Sequence, residues 1–188
     1  GFMGTGRATS GTGGDIDVIV GSGDSSHGGN VYITAGETTD SASVGGFVQI
    51  FGGHGSYNSG SDDGGDGGPV YLYGGEASGG QFYDMGGNIE TYGGLAASGS
   101  GGSVVMNTGF GAATSSGLFY FETMNAGASG VSGYIKFSTG TSSNGDTGYF
   151  SVMTGDATQG KGGYIELEVG NADDARQLLR EVGREAAY

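Results

Sequence analysis

From residue 14 onward the chain runs in short bursts in which every second residue is apolar, and glycine opens and closes each burst. The unit reads Gly, any, apolar, any, apolar, any, small, Gly. It opens at Gly14, Gly29, Gly46, Gly68, Gly87, Gly102, Gly117, Gly133, Gly148 and Gly163, at spacings of 15, 17, 22, 19, 15, 15, 16, 15 and 15 residues. With the opening glycine as position 1, positions 3 and 5 carry Val48/Ile50, Phe119/Phe121, Ile135/Phe137, Phe150/Val152 and their equivalents. Nineteen of these twenty residues are apolar, Thr91 being the exception. The closing glycine at position 8 is present in nine units of ten, and seven opening glycines follow a second glycine.

A period of two is that of a strand whose odd positions lie on one face and even positions on the other. A unit of about 15 residues cannot bury its own apolar face, whereas stacked units bury theirs against neighbours. The pattern therefore predicts an all-β chain: a parallel β-solenoid, or β-helix, of ten to eleven coils of about 15 residues over 1–170, with positions 3 and 5 as its core. The double glycines read as corners that need positive φ or close backbone approach. At about 4.8 Å per coil, ten coils would span roughly 48 Å.

Residues 8–14 match residues 157–163 at five of seven positions, which puts Met3 at position 5 and residue 1 inside a coil. The expectation is a processed product or a piece of a longer solenoid, or a subunit whose first coil another chain completes. After Gly170 the period becomes helical. Asn171 or Asp173 can cap a short amphipathic α-helix over about 173–187, whose apolar residues Leu178, Leu179 and Val182 would cap the last coil or meet a neighbouring subunit. The domains expected are thus 1–170 and 171–188.

Composition narrows the function. Of 188 residues 47 are Gly, one is Pro and none is Cys, so neither disulfides nor thiolate metal sites are available. Twenty acids against six bases give a net charge of −14, which opposes contact with nucleic-acid phosphates. No apolar run approaches the roughly 18 residues of a membrane span. The two histidines, His27 and His54, sit in Gly/Ser-rich corners, and no nucleophile elbow, phosphate loop or metalloprotease helix is visible, so no enzyme is expected.

Three groups of residues remain as candidates. Asp62, Asp63 and Asp66, in the longest insertion, could gather oxygens around calcium, the one cofactor the residues allow. Phe51, Tyr73 and Tyr92 at position 6, and Tyr134, Tyr149 and Tyr164 at position 2, would form outward aromatic ladders suited to lateral contact. The three enlarged corners, expected to cluster, display Tyr57, Gln81, Phe82 and Tyr83, a set suited to a glycan or surface ligand.

The GG-x-V-x-I-x-x-G columns alternating with Ser/Ala/Gly spacers resemble the glycine-rich solenoid repeats of microbial and algal cell-surface proteins and of virus or phage fibres, over about residues 1–170. That resemblance implies a structural or adhesive role outside the cell, at a cell surface or on a virion, and implies no particular residue as a site. The favoured expectation is a self-assembling subunit of a filament, appendage or particle fibre, built by coil stacking and lateral aromatic contacts. The alternative is an adhesive module that binds glycan, ice or another surface.

Overall fold

In the computed structural model, which describes residues 1–57 and 64–170, the described residues contain neither helix nor strand. The parallel β-solenoid predicted from the repeat is therefore not formed. Its proposed core is not formed either, since no hydrophobic side chain among the described residues is buried. The expected helix over 173–187, and the boundary that set 171–188 apart, lie outside the described residues. The chain divides into two compact units, Gly1–Val105 and Met106–Tyr188.

The period of two is nonetheless visible in how the side chains meet water. At position 3 of the ten segments exposure runs from 45% at Ile135 to 66% at Phe150. Apolar and aromatic residues at even positions run from 68% at Tyr71 to 90% at Tyr149, above the whole position-3 range, while position 5 spreads across both, from 57% at Met106 to 92% at Leu167. Contacts between residues i and i+2 confirm the alternation: the rings of Phe119 and Phe121 stack with centroids 5.8 Å apart. What fails is the covering of the odd face, and the reason lies at the corners.

At each corner the chain turns back so that position 7 of one segment meets position 1 of the next. In five consecutive corners the opening N–H donates to the preceding closing carbonyl: Gly46 to Gly36 at 2.9 Å, Gly68 to Gly53, Gly87 to Gly75 and Gly102 to Gly94 at 2.8 Å, and Gly117 to Gly109 at 3.0 Å. In three other corners a position-7 threonine hydroxyl donates to the next opening carbonyl: Thr5 to Gly14 at 3.0 Å, Thr123 to Gly133 at 3.4 Å and Thr154 to Gly163 at 3.3 Å. Where position 7 is Gly52, Gly74 or Gly93, any side chain would run into the carbonyl of Gly68, Gly87 or Gly102.

Close contacts account for five of the ten opening glycines, Gly29, Gly46, Gly68, Gly87 and Gly102. A Cβ on Gly102 would lie 2.8 Å from the Gly94 nitrogen, one on Gly87 2.9 Å from the Gly75 nitrogen, and one on Gly29 2.5 Å from a Val20 methyl carbon. Of the two causes expected at these corners, close approach is the one observed. Among the described residues the only glycines with positive φ are Gly11 and Gly145, and the closing glycines Gly36, Gly53, Gly75, Gly94 and Gly109 have open space where a Cβ would stand. Close approach, felt at position 1 and at the position-7 glycines Gly52, Gly74 and Gly93 but not at position 8, is the operative constraint.

Aromatic contacts in the second unit fix the sense of the return. Phe121, at position 5, meets Phe137, at position 5 of the next segment, with centroids 6.1 Å apart; Phe137 in turn meets Phe150, at position 3 of the segment after, at 5.9 Å. Since position 7 meets position 1 and position 5 meets position 5 or 3, consecutive segments run in opposite directions with their odd positions face to face. A parallel solenoid instead joins successive coils through backbone ladders. Among the described residues no backbone–backbone hydrogen bond involves positions 2–7 of any segment. The segments oppose each other through side chains, and their flanks remain in water.

Two consequences can be measured. Phe121 is more than half exposed, so Phe121→Asp buries no charge, and instead of a loss of several kcal/mol it should abolish only the ring contacts to Phe119 and Phe137. Gly102→Ala should remove hydrogen-exchange protection from the residue-102 amide, whereas Gly94→Ala should leave it unchanged. Equal protection in both variants, read by amide exchange in NMR spectra, would contradict the corner geometry.

Candidate interaction surface

With no buried core, the surfaces that can act are the two faces of the segments and the loops that join them. The charged residues within positions 2–7 are Asp15, Asp17, Glu90, Glu122, Lys136, Glu166 and Glu168, and all seven occupy even positions. The odd face is uncharged through all ten segments. One face is thus apolar and the other mixes carboxylates with tyrosines.

The predicted ladder residues all lie on the even face and are all exposed. Tyr73 stacks on Tyr71 of its own segment, with centroids 5.8 Å apart and planes at 24°. Among the described residues, ring contacts between segments join odd positions only, so Phe51, Tyr73 and Tyr92 are not stacked on one another, nor are Tyr134, Tyr149 and Tyr164. The phenylalanines that do meet between segments, Phe121, Phe137 and Phe150, read in the sequence as core rather than as surface.

Tyr92 takes part in an ordered polar row, because positions 2, 4 and 6 of its segment point the same way. The Tyr92 hydroxyl donates to Glu90 Oε2 at 2.6 Å and Asn88 Nδ2 donates to Oε1 at 3.4 Å. The Tyr92 bond first, and the Asn88 bond second, hold the Glu90 carboxyl below its ordinary value, and the same carboxylate holds the Tyr92 phenol above its own. Asn30 and Tyr32 make the equivalent pairing in an earlier segment, Nδ2 to hydroxyl at 3.1 Å.

The loops are closed units. The longest narrows beyond its corner, where Gly65 N–H donates to the Tyr57 carbonyl at 3.3 Å. In the loop between Gly75 and Gly87, Gln81 N–H donates to Asp84 Oδ2 at 2.9 Å and Asp84 N–H returns to the Gln81 carbonyl at 3.1 Å. This turn holds Phe82 and Tyr83 fully in solvent, while Tyr57 is half exposed. No ring contact or hydrogen bond joins Tyr57 to Gln81, Phe82 or Tyr83. The corner clustering that stacked coils would have imposed has no counterpart where successive segments reverse direction.

Of the suggested calcium ligands, Asp62 and Asp63 lie outside the described residues, as do Leu178, Leu179 and Val182. Asp66 is exposed beside the Gly53–Gly68 corner. Among the described residues no group of three or more His, Cys, Asp or Glu could hold a metal ion, and no helix is long and apolar enough to cross a membrane. No family model, curated protein or solved structure matches the chain, so its likeness to surface and fibre repeats stays one of pattern.

The Asn88–Glu90–Tyr92 row yields a pH expectation. Glu90 is depressed, so its contribution is complete above the ordinary carboxylate pKa and is lost as pH falls through the lowered value. Tyr92 is raised, so its contribution is present below the ordinary phenol pKa and is lost as pH rises through the raised one. In NMR titrations Tyr92→Phe should move Glu90 upward and Glu90→Gln should move Tyr92 downward; an unmoved partner in either variant would show that the bond does not persist in solution.

Proposed function

We propose that this chain is a structural subunit of a filament, appendage or particle fibre outside the cell, which associates with further copies of itself. The observation that carries this reading is the uncharged odd face, apolar at nineteen of its twenty central positions, with none of those side chains buried among the described residues. Covering what remains exposed stabilises by on the order of 1 kcal/mol per side chain. Repeated along even half of the segments, that gain is comparable with the roughly 4–15 kcal/mol opposing association.

The acidic even face acts in the other direction. A net charge of −14 makes copies repel, so association should rise with ionic strength and with divalent cations. Sedimentation velocity and light scattering across NaCl and CaCl2 titrations should show oligomers growing as salt is added. A monodisperse monomer under every condition would remove this reading. The exposed Phe82–Tyr83 turn would then favour the second one, a binding module for a glycan or surface, with weaker glycan capture by Phe82→Ala as its measure.

A further inference from the structure

Each segment leaves its backbone open. Among the described residues no backbone–backbone hydrogen bond involves positions 2–7 of the ten segments, although position-3 side chains are already less exposed than the apolar ones at even positions. In such a run the N–H and C=O groups of even positions point to one edge and those of odd positions to the other, and an unpaired edge is a template for another chain. The chain therefore presents a series of short, regular templates, joined by corners of which eight carry a hydrogen bond from one segment to the next.

We infer that these open edges are the self-association surface and that a second copy of this chain pairs with them, strand edge to strand edge and in register. This rests on the self-assembly reading above and names the contact it uses. Three observations select a second copy. A partner must offer eight-residue alternating runs interrupted by loops of unequal length, and the five hydrogen-bonded corners enclose such unequal loops, which only an identical sequence matches one for one. In-register pairing lays each apolar column on itself; positions 3 and 5 of the four complete segments in the second unit leave on the order of 900 Å² uncovered, against roughly 800 Å² per partner in a stable interface. Finally, every charge within positions 2–7 is at an even position, so pairing covers the flanks of the odd columns without burying a carboxylate. It does bring like charges alongside, Glu90 beside Glu90, which salt relieves.

Pro69 illustrates the device from the opposite side. At position 2 it lacks an N–H, so one edge of its segment has a gap in its donors. New prolines at Ser138 and Ser151, both exposed and at even positions, would extend such gaps without touching the odd face. The test follows association by sedimentation velocity, and sheet formation by the infrared amide I band and far-UV circular dichroism, over one concentration series in NaCl and in CaCl2. Sheet signal should be absent from the dilute monomer and rise together with oligomer. Ser138→Pro combined with Ser151→Pro should shift the half-assembly concentration upward by about tenfold or more, while Tyr73→Ala with Tyr149→Ala leaves it within about twofold.

Oligomers that form without sheet signal, or that the tyrosine pair abolishes and the prolines do not, would overturn the edge contact and leave the self-assembly reading standing. A sheet signal already complete in the monomer would also overturn it, because the edges would then be satisfied within one chain. Absence of oligomers under all conditions would remove the self-assembly reading and, with it, this inference.

Discussion

The structure depends on how closely two backbones approach where position 7 of one segment meets position 1 of the next. Wherever the chain turns, one partner is glycine and the other is glycine or a small or β-branched residue. Two chemistries close the gap: an opening N–H on the preceding closing carbonyl, as in Gly102 to Gly94, or a threonine hydroxyl on the opening carbonyl, as in Thr154 to Gly163. Once the gap is closed, the next eight residues must retrace the last eight with odd positions facing. The Phe121, Phe137 and Phe150 contacts follow from that return.

Facing segments cover only one side of each apolar column. The opposed side chains hide roughly half of Ile135 or Val70, and the rest stays in solvent because the neighbouring edge is empty. The even positions carry all the charges of the segments, and covering those would cost them their hydration. One chain thus combines an unmet hydrophobic demand with a repulsive coat. Which of the two dominates depends on solution conditions more than on any single residue, because the apolar term is fixed by area while the charge term is screened.

The period of two was legible in the sequence because it needs only residues such as Val48, Ile50, Phe119 and Phe121 at alternate positions. The direction of the return was not. Parallel stacking and antiparallel opposition place the same odd residues against one another, and only contacts such as Phe121 with Phe137 separate them. The glycine columns were equally plain, but the sequence left two causes open, positive φ and close backbone approach: position 1 and position 8 look alike in sequence, and only the space around a missing Cβ tells them apart. Position 7 holds Gly52, Gly74 and Gly93 in three successive segments and Thr108, Thr123, Thr139 and Thr154 in the next four, and this restriction to glycine or threonine was the available sign of a tight corner. Among the described residues the ring contacts between segments join odd positions, so the even-position tyrosines stand apart from one another within a single chain.

The corners also separate what lies beyond them from what lies between them. The hydrogen bonds from Gly46 to Gly36, Gly68 to Gly53, Gly87 to Gly75, Gly102 to Gly94 and Gly117 to Gly109 enclose stretches of very different length, yet each is the same bond between the same two repeat positions. Lengthening a flexible loop twofold costs only about 0.6 kcal/mol in closure entropy. Residues can therefore be inserted or exchanged at a tip such as Phe82–Tyr83 without altering the register of the arms. The loops are ports: evolution, or an engineer grafting a peptide, can vary the displayed sequence while the scaffold that displays it stays the same.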